Sequence, residues 1–289
     1  MTTTNIAMTG LCRLKTYIVC IYLTKLILLI RSDEENCNTV VFPEYDYFHD
    51  MPPRQRVLKT FNLTFPPLEI TTNITINKIF DIDDENSAFS IIFQVEFEWN
   101  DLNLKFNYLG KSMGINIISL KELEKIWKPD LNIAILTGTA VGPKILDEAI
   151  LVNRSSDASL ADNIETLFHN ESYEGATNSI YFKRLYQGEF MCQFNGVSQY
   201  PFGTNLCYLR MYLRGIANKM TKINLLPLNV VAENEIGEFI VNRYILNNTD
   251  RHQLNTITVS FELVRSRTSI ILVTYLPTIL MNLINQVDI

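Results

Sequence analysis

FSIIFQVEFEW, Phe89 to Trp99, decides the fold class. Phe89, Ile91, Phe93, Val95, Phe97 and Trp99 fall on one face, and Ser90, Gln94, Glu96 and Glu98 on the other. A period of two residues marks a strand with one side in a core and one side in water. TITVSFELV repeats it, with Ile257, Val259, Phe261 and Leu263 inward. CYLRMYLRG does the same, setting Leu209, Met211 and Leu213 against Arg210 and Arg214. Many such strands and few helical stretches predict an all-β, immunoglobulin-like antiparallel sandwich.

The chain has 289 residues, 47% of them hydrophobic, which suffices for one large domain or two modest ones around a substantial core. Its net charge of -6 excludes nucleic acid as a partner, because phosphate-backbone binding needs a basic face to displace counterions.

At the amino end, Arg13 and Lys15 precede an apolar stretch from Tyr17 to Ile30 that turns abruptly acidic. Residues 1–31 therefore read as a secretory signal peptide. Lys25 interrupts the apolar run and no clean small-residue cleavage site follows, so an uncleaved signal anchor is the alternative. Export implies an oxidising compartment. Cys12 and Cys20 lie in the leader, leaving Cys37, Cys192 and Cys207, of which only the last two are close in sequence. Two free thiols in a core are the competing reading of that pair. Asn62, Asn73, Asn153, Asn170 and Asn247 each begin an N-x-S/T triplet, the acceptor pattern for glycans in the same compartment.

Residues 150–179 are polar and turn-rich and read as a surface excursion, with room for a short helix around Leu160 to Phe168. The carboxyl end is apolar from Ser269 to Ile284 apart from Asn282, carries Pro277 and follows Arg265 and Arg267. A membrane span needs about 20 apolar residues, so this is a partial one; a mid-strand proline disfavours a core strand. No enzyme chemistry is evident. His49, His169 and His252 stand in no metal-ligand spacing, and there is no C-x-x-C pair or Gly-rich phosphate loop, so no metal or cofactor is expected. The acidic run DIDDEN, Asp81 to Asn86, reads as a solvated turn between two strands and not as a carboxylate pair.

In order along the chain, these pieces resemble the pentameric Cys-loop ligand-gated ion channels. EFEWNDLNLKF resembles the family's W-x-D-x-R-L strand end, with Trp99, Asp101 and Leu104 in place and Asn103 where arginine is usual. IWKPD resembles the W-x-P-D of binding loop A through Trp127, Pro129 and Asp130. CQFNGVSQYPFGTNLC resembles the signature loop, with one residue more than is usual and Gly203 where aspartate is customary. FELVR followed by TYLPTIL resembles the approach to the first membrane helix, and TYLPTILMNLINQ most resembles invertebrate chloride-channel subunits.

The resemblance implies a disulfide between Cys192 and Cys207, closing a loop whose Tyr200-Pro201 apex meets the pore domain. It makes the turn with Asp83, Asp84 and Glu85 the element that transmits binding, and Arg265 its basic partner. Family sites for amines hold the cation on aromatic faces. Here Ala134 and Leu213 or Arg214 occupy those places, and NNTDRHQLN lacks adjacent cysteines. The ligand candidates are therefore Ile92, Gln94 and Glu96 on a polar strand face, Arg210 and Arg214 after the loop, and Tyr244 and His252 around the tip. These suit a small anion, a zwitterion, a metal ion or a proton.

The expected organisation is 1–31 signal peptide or anchor, 32–266 extracellular ligand-binding domain, and 267–289 partial first membrane helix. The implied partners are homologous subunits in a pentamer, a small-molecule or ion ligand and the lipid of the plasma membrane. A secreted or truncated soluble binding protein of the same fold, without channel activity, is the alternative.

Overall fold

The computed structural model describes residues 39–43, 47–53, 57–59, 62–64, 66–134, 143–156, 159–160, 171–194, 203–214, 217–251, 254–266, 268 and 271–287. The leader, Cys37, the Tyr200-Pro201 apex, His169, Asn170 and His252 lie outside them. The chain forms two compact units.

The first unit comprises residues 1–47, 100–126 and 150–180. Its sheet runs β1 (Thr39–Val41), β6 (Lys105–Asn107), β10 (Glu171–Glu174), β9 (Ser159–Leu160). The expected surface excursion thus contains strand, Ser159 pairing with Ser172 and Leu160 with Glu171, while the remainder of the short helix expected around Leu160 to Phe168 lies outside the described residues. Two buried amides hold the loops. Asn116 accepts from the Gly110 amide at 2.8 Å and donates to the Gly110 and Val152 carbonyls. Asn178 accepts from the Ser155 and Ser156 amides and donates to the Glu174 carbonyl. Each buried polar group is thereby matched within the loop it fixes.

The second unit comprises residues 48–99, 127–149 and 181–289. Besides the hairpin of β2 (Val57–Lys59) and β3 (Asn62–Thr64), it carries a long sheet. That sheet contains β4 (Leu68–Asp83), β5 (Ala88–Trp99), β11 (Ser179–Gln193), β12 (Thr204–Leu213), β17 (Leu254–Arg265), β16 (Phe239–Arg251) and β15 (Glu235–Ile236). β13 (Thr221–Leu225) and β14 (Asn229–Val230) join β4 in parallel; β7 (Leu131–Ala134) pairs with β12 and β8 (Lys144–Asn153) with β11. The sheet turns back on itself between β11 and β12, so that Phe89 of β5 meets Phe261 of β17 edge-on at 5.4 Å. Phe93 stacks on Tyr186 at 5.3 Å and Phe97 on Phe182 at 6.2 Å. The result is the expected β-sandwich. The inward residues of β5, β12 and β17 foreseen from alternation are all buried, Phe93, Leu209, Met211, Leu213, Ile257 and Val259 without any exposure. Aromatic pairs in such a core add about 0.5–1.5 kcal/mol each beyond the area they bury.

The carboxyl end is helical, a π turn over Ile271–Tyr275 and an α-helix over Leu276–Val287. Among the described residues no helix is long and apolar enough to cross a membrane. Pro277 is the second residue of the α-helix and follows directly on the π turn, so the proline lies inside continuous helix near the middle of the apolar run. Ile279, Leu280, Met281, Leu283 and Ile284 are all exposed.

Candidate functional site

Three groups of side chains in the second unit carry the features singled out by sequence. The first surrounds the disulfide. Cys192 and Cys207 are bonded and face each other across β11 and β12. Both are buried, and the Cys192 amide donates to the Ser87 carbonyl at 2.9 Å, tying the crosslink to the turn between β4 and β5. That turn occupies Asp84 to Ser87. Asp83 accepts from the backbone and side-chain nitrogens of Asn86, at 3.0 and 2.6 Å, and these bonds hold its carboxyl below the usual range. Ser87, at φ 54°, takes the left-handed backbone that the tight reversal requires.

Arg265, at the end of β17, pairs with Asp84 of this turn and with Glu238 at 3.0 Å. Its guanidinium lies over the Phe239 ring at 4.7 Å, and Phe194, two residues past Cys192, meets the same ring edge-on at 6.0 Å. Only 11% of the Arg265 side chain is exposed, against 46% for Asp84 and 58% for Glu238. The structure therefore gathers the turn, the disulfide and Arg265 into one cluster. Glu85 is exposed, and no contact of its side chain contributes to the cluster's geometry described here. Sequence reasoning missed Glu238, Phe239 and Phe194. Phe239 opens β16 opposite Arg265, a cross-strand relation that only the register reveals.

The second group is the W-x-P-D segment. Trp99 and Trp127 are buried and meet edge-on at 5.5 Å. Asp130 accepts the Arg214 amide on its carbonyl at 2.8 Å, and its carboxylate lies 3.3 Å from Arg214 and 3.7 Å from Arg184. Arg184 of β11 is buried, and its Nε and Nη2 both reach Glu148 of β8, at 2.9 and 2.7 Å. Lys128 takes the other Glu148 oxygen at 2.8 Å. Burial works to raise the Glu148 carboxyl, but Lys128 and Arg184 outweigh it and hold the group below its ordinary value. The guanidinium of Arg184 also lies over Phe182 at 4.8 Å and donates to the Tyr186 hydroxyl. None of Lys128, Glu148 and Arg184 was foreseen. Asp101, by contrast, belongs to the first unit, fully buried, accepting from the Tyr47 hydroxyl at 2.6 Å and the Asn103 amide at 2.9 Å. Burial pushes its carboxyl up, while those two donors partly restrain it.

The third group comprises the ligand candidates, which the structure distributes over separate strands. Ile92, Gln94 and Glu96 are half-buried on the outward face of β5. Glu96 takes the Gln94 amide at 2.6 Å and the Asn73 amide at 2.8 Å. The nearby Tyr181 hydroxyl is pushed upward by its own burial and by its bond to Glu96. Asn73, a glycan acceptor by pattern, thus has its amide engaged in this network, on a β4 position opposite Glu96. Asn153 ends β8, Asn247 is exposed on β16, and Asn62 lies in β3.

Arg210 and Arg214 belong to the strand β12 and the residue after it, with β11 between them and β5 in the sheet. Tyr208, Arg210, Tyr212 and Arg214 all point outward, the reverse of the buried Cys207, Leu209, Met211 and Leu213. Arg210 stacks over Tyr208 at 5.2 Å and sits beside Ala134, while Asn132 donates to the Tyr212 hydroxyl at 2.7 Å. Leu213 faces the core, and Arg214 holds the outward place. Tyr244 lies edge-on to Phe261 at 5.6 Å and half-buried, with its hydroxyl 3.5 Å from Asn234, and burial pushes the pKa of that hydroxyl up. Among the described residues no group of three His, Cys, Asp or Glu side chains is placed to hold a metal ion.

Residues 55–140 match the family model of the neurotransmitter-gated ion-channel ligand binding domain, which supports the Cys-loop receptor resemblance. That family is not enzymatic in general. A search of curated proteins found no match.

Proposed function

We propose that residues 32–266 form the extracellular ligand-binding domain of a Cys-loop channel subunit, which binds a small ligand between neighbouring subunits and couples it to opening of an ion pore. The observation that carries this reading is the family match over residues 55–140, since that segment supplies β4, β5, the acidic turn and both tryptophans of the Trp99–Trp127 contact. In this reading residues 1–31 export the chain as a signal peptide or anchor, 267–289 begin a membrane helix, and five homologous subunits assemble in the plasma membrane. The asparagine triplets carry glycans, and the chloride-channel wording of the last segment favours an anion pore.

The coupling path follows the ladder of β12 and β17. Arg210 is opposite Thr258, and seven residues further along β17 stands Arg265. At about 3.4 Å per residue this spans roughly 24 Å of continuous backbone pairing. A ligand that shifts the outer face of β12 shifts β17 with it. Arg265 bridges Asp84 on the turn and Glu238 before β16 at once, so a shift of β17 bears on both contacts. In this reading Glu85 adds to the surface presented to the pore and Tyr244 belongs to the binding face, while Tyr200, Pro201 and His252 lie outside the described residues. Co-expression with a full-length homologous subunit tests the reading. As the share of this chain rises, the homologue's ligand-evoked current falls and both chains are recovered in one pentameric assembly. Unchanged current and separate recovery, with this chain present at the cell surface, overturn the proposal.

A further inference from the structure

Asp101 of the first unit has no exposed surface, and its carboxyl group meets only neutral donors. The Tyr47 hydroxyl donates to Oδ2 at 2.6 Å, the Asn103 amide donates to Oδ1 at 2.9 Å, and the Asn103 side chain adds a further bond. Among the described residues no cation is paired with it. The charged groups of the neighbouring elements are engaged elsewhere. Lys105 of β6 pairs with Glu174 of β10 at 2.9 Å, and Glu171 takes the Tyr173 hydroxyl at 2.8 Å. Arg154 donates to the Leu109 carbonyl at 3.0 Å and lies over the Tyr173 ring, while Glu122 accepts the Val40 amide of β1 at 3.0 Å.

A carboxylate with neither a cation nor bulk water beside it is far costlier to bury than the neutral acid in the same place. Independently of the receptor reading, we infer that Asp101 and Tyr47 form a proton-held anchor: the protonated acid keeps the amino-terminal segment that bears β1 and Tyr47 seated on the first unit, and loss of the proton unseats it. What covers the carboxyl group decides which way it opens. Its backbone side is bolted down. The Asp101 carbonyl accepts the Leu104 amide at 3.3 Å, Gly175 packs so closely on that carbonyl that no side chain fits there, and the Asn100 side chain donates to the Ala176 carbonyl at 2.7 Å. The Tyr47 side is weaker. β1 has three residues at the edge of its sheet, pairs with β6, and is otherwise tied by the Val40 bond to Glu122; Phe42 and Tyr47 meet edge-on at 5.5 Å, but both belong to the same segment. A short edge element opens at lower free energy than the sheet it joins. Lifting Tyr47 lets water reach the carboxylate. Burial acts in the same sense, holding the proton on Asp101 above the ordinary carboxylate range while the segment is seated.

The test is amide hydrogen exchange of the purified full chain, read by mass spectrometry between about pH 5 and 8, with each rate divided by that of the same peptide unfolded so that the intrinsic pH dependence cancels. Protection of the peptide carrying Thr39–Val41 falls as pH rises, by at most about tenfold per pH unit, the limit for one proton. The peptide from β17 of the second unit shows no such fall. Asp101→Asn, neutral at every pH, abolishes the slope and leaves the segment protected. Asn103→Arg brings a cation to the carboxylate and flattens the slope within the same range. Glu122→Gln lowers protection of β1 but keeps its slope, because the Glu122 carboxylate is not the group that titrates the anchor. Protection of β1 that is independent of pH, a slope that survives Asp101→Asn or disappears with Glu122→Gln, or an equal fall in β17, which reports global unfolding, overturns the inference. Where Asp101→Asn or Asn103→Arg gives a chain without a melting transition, the unsubstituted chain and Glu122→Gln decide by the same criteria.

Discussion

Replacing Arg184 with methionine removes the charge at the centre of the second unit's ion-pair network while keeping much of the stem that packs on Phe182. Glu148 then retains Lys128 on one oxygen and loses both contacts to the other. Breaking a buried pair by deleting one partner costs about 3–5 kcal/mol. Here the Glu148 side chain is 22% exposed and keeps one cation, so the loss falls at or just below the bottom of that range, about 2–3 kcal/mol. For a chain of this size that lowers the melting temperature by about 5–10 °C. Urea denaturation at fixed pH reads the loss directly.

The pH profile gives a second, independent readout. Because Glu148 is held below its ordinary value, the unfolded chain binds the proton more readily across the window between the two values. Its stabilising effect is therefore present above the ordinary carboxylate value and lost as pH falls through the depressed one. Arg184→Met narrows that window and flattens the acid limb, and Glu148→Gln in the same background restores part of the stability. An Arg184→Met chain that unfolds within about 0.5 kcal/mol of the original, with the same acid limb, refutes this account of the network.

Asp101 has the opposite sign: its raised carboxyl favours the folded state only while protonated, so stability falls as pH rises from the ordinary carboxylate value through the raised one. Asp101→Asn removes that decline, and Tyr47→Phe costs about 1.5–3 kcal/mol by deleting a hydrogen bond to a carboxylate, both read from melting at a series of pH values. Replacing Cys192 and Cys207 together with serine costs about 3 kcal/mol in denaturant unfolding, and peptide mapping without reductant recovers the two cysteines joined.

The strands of the sandwich core were legible where one face is buried and the other wet. β5, β12 and β17 each alternate strictly, and each inward residue is where the alternation puts it. The strands of the polar excursion were not legible. Ser159–Leu160 and Glu171–Glu174 are too short to show a period and owe their extension to pairing partners. The same limit hid Arg184 and Glu148, which lie 36 residues apart in sequence and meet only because β8 pairs with β11. Asp84 and Arg265, 181 residues apart, were reachable only because a known family places a charge pair there. The apolar run of the terminal segment was legible, but composition alone does not specify its division into a π turn over Ile271–Tyr275 and an α-helix over Leu276–Val287.

The most direct test of the receptor reading is to join residues 32–266 to the pore helices of a homologous channel and record current. The chimera at the cell surface gives saturable current to a small anion or zwitterion and none to acetylcholine, since Ala134 and the buried Leu213 leave no aromatic cage. Arg265→Gln, which takes the cation from Asp84 and Glu238, abolishes the current while surface assembly persists. A pentameric chimera at the surface that stays silent to every small anion and zwitterion, or that opens equally well with Arg265→Gln, contradicts the proposal that this domain gates a pore.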